Sequence, residues 1–456
     1  MGPLRGPGFG DLSDMLLKLT IENFLSFRDK TVFSMAATSG RRFNGRVQWH
    51  NGLKKRMLPI SAIFGGENSG YDSFAKALRF IKELVTESPN FVTSLNLYTF
   101  QNYTDSRVIP VKMGVDIIVG DNVYRFNFMA MKDVIVSERL IHIEKKAKTL
   151  LYERRKKKIK FPPRTESAEE LKALFKTMPK NQLFLQHSVR HKFPNFKEAF
   201  DWFRYGLQVT GPGTQVHPSR VPDSSLLDSD FLPDFINLLD QNSTQTRLDS
   251  LIVPKEAPIH AAIARGDFSP HGDFLLHHNV KGDFLELYYR YKTFNDVKIL
   301  KLFPTDRDCL WEKFPISRPF SSDREKQGLV AFLSVYDLIH AKTPRVYVSN
   351  YFDNAFELIR ARGLLAQYLE GCDKDRRSQF ILTLSNALLL DKKLFRQDEI
   401  WIAEHGDFGN TRVLSMGDYK KSVKGREAWR DPRNNRIGGI YTPLIMAALE
   451  VGYERK

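Results

Sequence analysis

Residues 62–78 read AIFGGENSGYDSFAKAL, an apolar run followed by a glycine-rich turn and then by apolar residues at helical spacing. A strand, a glycine-rich loop and a helix in this order are the context of the phosphate-binding loop G-x-x-x-x-G-K-[ST]. Gly65 and Gly70 keep the spacing of the two glycines in that motif. The stretch therefore predicts a loop with the shape of a phosphate-binding loop.

The two reactive positions of this motif are substituted. A working loop ends in a lysine, which reaches the phosphates, and a hydroxyl, which holds Mg²⁺. Tyr71 and Asp72 stand at these two places. A carboxylate suits the positive end of a helix dipole, but Asp72 would face the phosphates that the same dipole attracts. If a nucleotide binds, the groups that remain to hold it are those of the loop backbone. The residues concerned are Gly65, Gly66, Glu67, Asn68, Ser69 and Gly70.

Length and composition narrow the class of protein. The chain of 456 residues is long enough for two or three domains, and a hydrophobic content of 42% excludes a disordered chain. Its two cysteines, Cys309 and Cys372, cannot form a disulfide framework. No apolar run reaches the roughly 18 residues of a membrane span. Because no secretory leader opens the sequence, we expect a cytoplasmic protein.

The chain is basic, with a formal net charge of +16, and part of the excess is local. Clustered basic side chains attract nucleic acid phosphates by counterion release. The same cluster is also typical of a solvated hairpin tip or linker, and both interpretations stay open. The candidate nucleic-acid contacts are Arg154, Arg155, Lys156, Lys157, Lys158 and Lys160.

Apolar alternation and helical spacing predict the strands and helices. The predicted strands are 17–24, 31–35, 58–64, 112–118, 123–131, 137–144, 149–154, 284–291, 297–303, 345–349, 380–384 and 399–404. The predicted helices are 72–87, 232–239, 323–341 and 356–369, with helical spacing also through 167–209. Residues 210–260 hold six prolines and otherwise indicate an irregular linker.

Four segments carry a resemblance to a known family. They are LKLTIENFLSFRDKTVFSMAA (17–37), LPISAIFGGENSGYDSFAKAL (58–78), NQLFLQHSVRHKFPNFKEAFDWF (181–203) and DEIWIAEHGDFGNTRVLSMGDYK (398–420). In these segments, and in the order of elements over residues 15–450, the chain resembles the ABC-type AAA ATPases of bacterial abortive-infection and related anti-phage systems. That family is related to the OLD and chromosome-maintenance ATPases.

The resemblance implies an α/β fold, an ABC-type P-loop NTPase-like head with an inserted β-subdomain and a helical arm. It divides the chain into five parts. These are a flexible leader at 1–14, the N-terminal half of the head with the P-loop-like turn at 15–110, a β-rich insertion with the basic run at 111–165, the helical arm and irregular linker at 166–280, and the C-terminal half of the head at 281–456.

The catalytic motifs of the family are substituted in this chain. The family has Lys and Ser ending the P-loop, Asp and Glu ending the Walker B strand, and His after the next core strand. The corresponding residues here are Tyr71, Asp72, Asn350, Tyr351 and Ser385. Asparagine lacks the charge of a Mg²⁺-binding carboxylate, and tyrosine is not a base near neutral pH. The family's Ser-Ser-Gly signature corresponds to Ser321, Ser322 and Asp323.

These substitutions predict a catalytically degenerate, ABC-type ATPase-like protein. Phosphoryl transfer depends on positioned charge, and the substituted positions remove nearly all of it. We therefore expect a pseudo-ATPase, without a cofactor, that acts as a scaffold or regulatory subunit in a bacterial anti-phage defence complex. Tyr71 and Tyr351 are expected to pack in the space of the nucleotide, and Asp72 to cap the following helix.

Two other functions stay open. An atypical ATPase would hold Mg-ATP on the loop backbone and switch a defence effector. A DNA-binding module would grip DNA or RNA with the basic run. The family also implies assembly, so we expect a homodimer or a hetero-oligomer with a defence effector protein, and no membrane.

Two further sets of side chains have spacings that suggest metal ligation. Glu67, Asp353 and Glu357 are carboxylates close to the substituted motifs, while His187 and His191 have the i, i+4 spacing of a helical pair. Neither set has the additional ligands of a known site type, so no metal is predicted.

Overall fold

The structure, a computed structural model, describes residues 14–38, 40, 42–66, 68–86, 99–100, 109–131, 134–144, 147–163, 165–210, 219–221, 245–252, 274–278, 285–290, 297–305, 338, 345–350, 352–356, 358–372, 378–391, 393–406 and 408–416. Several predicted features lie outside these ranges. They are the leader up to residue 13, Glu67, the helix at 232–239, most of the helix at 323–341, Ser321, Ser322, Asp323 and Tyr351.

The strands and helices follow one another along the chain. The strands are β1 (Asp14–Glu22), β2 (Thr31–Ser34), β3 (Gln48–His50), β4 (Lys55–Met57), β5 (Ile60–Gly65), β6 (Val111–Val119), β7 (Asn122–Met131), β8 (Val134–Ile143), β9 (Lys148–Arg155), β10 (Lys158–Lys160), β11 (Leu207–Thr210), β12 (Ser219–Val221), β13 (Gln245–Ile252), β14 (Phe274–His278), β15 (Leu285–Arg290), β16 (Val297–Thr305), β17 (Val346–Ser349), β18 (Gln379–Leu384), β19 (Ile400–His405) and β20 (Thr411–Ser415). The α-helices are α1 (Ser73–Thr86), α2 (Ala168–Thr177), α3 (Phe184–Arg190), α4 (Lys197–Asp201), α5 (Phe352–Ala355) and α6 (Leu358–Glu370).

The chain divides into two compact units. The first comprises residues 1–209 and 343–456, and the second comprises residues 210–342. The first unit contains a mixed α/β arrangement with a mostly parallel sheet, an antiparallel sheet and the two-stranded sheet of β3 and β4, as the predicted fold class requires. None of the described helices is long and apolar enough to cross a membrane.

The antiparallel sheet of the first unit has the strand order β10-β9-β8-β7-β6-β1-β2. On β7, Phe126, Phe128 and Ala130 are buried, while Arg125, Asn127 and Met129 on the other face keep part of their surface exposed. One face of the sheet therefore lies on the core and the other faces solvent. The strands predicted at 17–24, 31–35, 112–118, 123–131, 137–144 and 149–154 are confirmed.

Short helices pack on the buried face of this sheet. The ring of Phe184 on α3 lies 5.0 Å from that of Tyr152 on β9, and the ring of Phe203 lies 5.7 Å from that of Phe126 on β7. The helical spacing at 167–209 is confirmed only in part. Three helices and a π-helical turn (Trp202–Gly206) form, but the segment ends in strand β11, because Leu207 is buried in an extended conformation.

The second sheet of the first unit has the order β11-β17-β18-β5-β19-β20. Strands β17, β18, β5 and β19 are parallel, and all six residues of β5 are buried. A central parallel strand is covered on both faces, which explains its continuous apolar sequence. The predicted strands 58–64, 345–349, 380–384 and 399–404 are confirmed. The helix predicted at 356–369 is confirmed as α6, preceded by the short α5.

The second unit contains a five-stranded antiparallel sheet of order β12-β14-β15-β16-β13. The hairpin predicted from 284–291 and 297–303 is confirmed by the pairing of β15 with β16. The irregular linker predicted at 210–260 is wrong where β12 and β13 lie. Strand β13 pairs with β16, which follows much later in the chain, and such a non-local partner leaves no local sequence signal.

Asp14, the first residue of β1, gives the first unit a pH-dependent stability. Burial raises the pKa of its carboxyl to about 7, opposed by Arg345 and assisted by Asp201. The folded state therefore holds a proton that the unfolded state releases, so this contribution is complete below about pH 4 and is lost as the pH rises through about 7. We expect Asp14→Asn to stabilise the protein at pH 8 by about 1–2 kcal/mol and to have little effect at pH 4.

Urea denaturation at the two pH values checks this expectation. The exposed Asp121 provides the control, because Asp121→Asn should change the free energy of unfolding little at either pH. Equal effects of Asp14→Asn at pH 4 and pH 8 would contradict a proton held by Asp14.

Candidate nucleotide-binding site

The glycine-rich loop connects the central strand β5 to helix α1, the context predicted from the sequence. The Ser69 amide donates to the Gly66 carbonyl at 3.1 Å, and the Ser73 amide donates to the Gly70 carbonyl at 3.0 Å. Gly70 has a φ of +76°, in the left-handed region that favours glycine. The two glycines of the motif thus lie at the strand end and at the turn into the helix.

Side chains of the loop itself pack against its first glycine. A Cβ atom on Gly65 would lie 2.2 Å from the Ser69 hydroxyl oxygen and 2.7 Å from the Tyr71 Cβ. Tyr71 is 6% exposed and belongs to the hydrophobic core. Tyr71 therefore serves the packing of the loop, in place of the cation that a P-loop lysine supplies.

Two residues from distant parts of the chain hold the loop on its other side. A Cβ atom on Gly70 would lie 2.0 Å from Thr411 Oγ1 and 2.3 Å from Ser26 Oγ. Thr411 Oγ1 donates to the Ser69 carbonyl at 2.7 Å, and the Ser26 hydroxyl donates to the Ser73 hydroxyl at 2.9 Å. The sequence does not predict a role for Ser26 or Thr411, because neither residue belongs to a motif that links it to the loop.

Asp72 stands where the P-loop hydroxyl would be. Its carboxylate forms an ion pair with Lys76, one helical turn later. The Lys76 amide also donates to the Asp72 carbonyl at 3.1 Å. The positive charge nearest in sequence to the loop is thus engaged with the substituted residue.

Asn350 follows strand β17, where the resemblance puts the Walker B aspartate. It is 5% exposed, and its Oδ1 accepts a 2.6 Å hydrogen bond from the hydroxyl of Thr383 on the neighbouring strand β18. The amide oxygen that would approach a metal-bound water is therefore already hydrogen-bonded across the sheet.

Ser385 follows β18, where the resemblance puts the histidine of that family. Its amide and hydroxyl donate to Asp353 Oδ2 at 2.7 and 2.8 Å, and the Asn386 amide donates to the same oxygen. Asp353 therefore fastens helix α5 to the end of β18, a structural use of a carboxylate that the sequence suggests only as a metal ligand. The other two carboxylates of that set, Glu67 and Glu357, lie outside the described residues.

The histidine pair lies on and next to α3, with ring centroids 4.3 Å apart. Burial lowers the pKa of His187 to about 4, so its ring is neutral at physiological pH. His187 Nδ1 is hydrogen-bonded to Gln182 Oε1 at 3.1 Å. Within the described ranges, no group of three or more His, Cys, Asp or Glu side chains is placed to hold a metal ion.

The basic run forms the hairpin of β9 and β10, as one of the two interpretations expects. Arg155, Lys156 and Lys158 are exposed there. Arg154 has to be removed from the nucleic-acid candidates, because it is 2% exposed and donates to the Gln182 carbonyl at 2.5 Å. Strand alternation turns it inward, away from any phosphate.

Arg154 belongs to a buried polar cluster that the sequence does not predict. Glu138 on β8 is fully buried and accepts hydrogen bonds from the amides of Phe184 and Leu185, at 2.6 and 2.9 Å, and from the Tyr152 hydroxyl at 2.6 Å. Arg154 Nη1 lies 3.6 Å from its carboxylate. Burial raises the pKa of Glu138, while Arg154 and these hydrogen bonds lower it. The cluster fixes the start of α3 on the sheet.

The solved structures to which the chain is similar include two SMC heads. One is the SMC head domain from Thermotoga maritima, with 11% identity, a TM-score of 0.29, and 88% of this chain and 98% of that chain covered. The other is described as SmcHead bound to the C-winged helix domain of ScpA, with 10% identity, a TM-score of 0.32, and 88% and 97% covered. No family model and no curated protein matches the chain.

The arrangement of strands, loop and helix indicates the kind of site. A buried central strand, a glycine loop with a left-handed turn and a following helix lie beside parallel strands whose carboxyl ends meet at one edge of the sheet. Ligands of open α/β sheets bind at that edge. The chain is therefore an α/β protein with a P-loop-shaped turn whose described reactive positions carry residues other than those of the working motif.

Proposed function

We propose that the protein is a catalytically inactive, ABC-type ATPase-like scaffold or regulatory subunit. One observation supports this most strongly, namely that two of the substituted residues are engaged with other side chains of the protein. Asp72 is paired with Lys76, and the Asn350 oxygen accepts from Thr383. The Asp72 carboxylate and the Asn350 oxygen are thus occupied by contacts within the protein, and neither residue supplies the charge that the working motif has at its position.

The amount of transition-state stabilisation that the substitutions remove supports the same conclusion. A single oxyanion-type contact is worth about 3 kcal/mol in a transition state. The chain lacks the lysine, the metal-binding hydroxyl and the metal-binding carboxylate at Tyr71, Asp72 and Asn350. Their combined absence corresponds to about 9 kcal/mol, or more than about a millionfold in rate, so hydrolysis is negligible.

The biological setting follows from the resemblance of the four quoted segments to anti-phage ATPases. We propose that the protein acts in a bacterial defence complex, as a homodimer or together with an effector protein. Its assembly would not depend on a nucleotide, because the residues that bind one in the family are substituted. The contacts in such a complex would be formed by protein surfaces outside the nucleotide site.

Phosphate release measured with Mg-ATP tests the proposal. The wild-type protein is expected to release no phosphate above the rate of a buffer control. The comparison variant restores the family residues through Tyr71→Lys, Asp72→Ser, Asn350→Asp and Tyr351→Glu. Calorimetry is expected to show that it gains Mg-ATP binding, since its loop keeps the required backbone shape. Turnover by the wild-type protein would overturn the proposal.

A further inference from the structure

An open cavity of about 750 Å³ lies on the antiparallel sheet of the first unit and takes in residues of β1, β6, β7, β8 and β9. Gly114 forms part of its lining, where a Cβ atom would come within 2.1 Å of Asn127 Oδ1. We call this cavity the sheet groove. It shares no lining residue with the glycine-rich loop, so it forms a separate surface.

The floor and the rim of the sheet groove differ in character. Most of its lining surface is carbon, to which Met129 and Val136 contribute. Its rim carries two glutamates, Glu22 and Glu153, and a larger number of basic side chains, namely Lys30, Lys112, Arg139, Arg155 and Lys156. An apolar floor beneath a basic rim favours a ligand that combines carboxylates with apolar side chains.

Part of this positive charge is available to a ligand. Lys112 is paired with Glu22 at 2.5 Å, and Arg155 is paired with Glu153 at 2.9 Å. In contrast, Lys30, Arg139 and Lys156 are exposed side chains, and the structure shows no carboxylate within ion-pair distance of them among the residues it describes. Like charges without partners on one groove create a positive potential that attracts an anionic partner.

We propose that the sheet groove binds a short acidic segment of a partner protein. Carboxylates of that segment would pair with Lys30, Arg139 and Lys156, and its apolar side chains would cover Met129 and Val136. The proposal rests on the scaffold function proposed above and names the chemistry of the partner.

Dimensions favour a peptide over a nucleic acid. From β1 to β9 the groove crosses four strand spacings, or about 19 Å, which about six extended residues span. Duplex DNA is read by a helix or a β-ribbon that projects into its major groove, and a recessed surface such as the sheet groove does not project. A single strand needs exposed aromatic rings for stacking. Phe128, the aromatic residue in the lining, is 2% exposed.

Selection of random heptapeptides displayed on phage, against the nucleotide-free full-length protein, tests the proposal. The groove variant combines Lys30→Glu, Arg139→Glu and Lys156→Glu. The matched control combines Lys55→Glu, Lys176→Glu and Lys192→Glu, which are exposed and lie outside the groove lining. Each substitution removes two charges, so both variants change the net charge from +16 to +10. Circular dichroism checks that each variant is folded. If the triple groove variant does not fold, the single substitution Arg139→Glu is used in its place.

The expected result is enrichment of peptides that carry both acidic and apolar residues. A selected peptide labelled with fluorescein should bind the groove variant at least about tenfold more weakly than the wild type, and the control within about twofold. Failure to enrich acidic peptides, equal weakening in both variants, or displacement of the peptide from the groove by duplex DNA would overturn the proposal. ATP turnover would instead overturn the scaffold function, and peptide binding is measured independently of it.

Discussion

Replacing Glu138 with alanine is expected to lower the free energy of unfolding by about 3–5 kcal/mol, because it leaves the buried Arg154 without its charge partner. Glu138 is fully buried and lies 3.6 Å from the guanidinium of Arg154. The substitution also removes the acceptor of the Tyr152 hydroxyl and of two amides at the start of α3, and buried donors without partners are costly. Urea denaturation, followed by circular dichroism, measures the loss.

An exposed glutamate provides the control for this substitution. Glu170 lies in the first turn of α2 and faces solvent, so Glu170→Ala should change the free energy of unfolding by less than about 0.5 kcal/mol. If Glu138→Ala also cost less than about 1 kcal/mol, the carboxylate would not be the acceptor that holds α3 on the sheet.

Replacing Gly70 with alanine is expected to cost about 2–5 kcal/mol, the sum of backbone strain and overpacking. Gly70 has a φ of +76°, where an L-residue is strained. Its new Cβ would lie 2.0 Å from Thr411 Oγ1 and 2.3 Å from Ser26 Oγ, so both neighbours would have to move. Thermal and urea unfolding measure the effect on a loop that is packed in place.

Gly363 on α6 is the matched control for the same chemical change. A Cβ atom added there meets nothing within 4 Å, and alanine is the better helix former. Gly363→Ala should therefore raise the stability by about 0.5–1 kcal/mol. A Gly70→Ala protein as stable as wild type would show that Ser26 and Thr411 do not enclose the loop.

The sequence predicts most of the core of the first unit because its signals there are local. The apolar run at 60–65, the glycine spacing and the apolar stripe of α1 all lie within a single short segment, and β5, its loop and α1 form as expected. In the antiparallel strands, apolar and polar residues alternate along the sequence as the two faces of the sheet require. Such patterns act over neighbouring residues, so no distant partner is needed to recognise them.

The remaining features depend on partners far along the chain. Nothing in the run RRKKK shows that Arg154 turns inward to Glu138 while Arg155 faces solvent, because the strand's register decides it. The contacts of Gly70 with Ser26 and Thr411 join three separate segments. The sequence identifies which residues are substituted at the site. The structure adds what Asp72, Asn350 and Ser385 contact instead.

Isothermal titration calorimetry of the wild-type protein with Mg-ATP tests directly whether the P-loop-shaped turn still receives a nucleotide. We expect no heat of binding up to about millimolar Mg-ATP, because the charges of the working motif are absent and Asp72 and the Asn350 oxygen are engaged with Lys76 and Thr383. Saturable binding at about micromolar Mg-ATP would contradict this expectation, and would show that the loop backbone alone holds the phosphates.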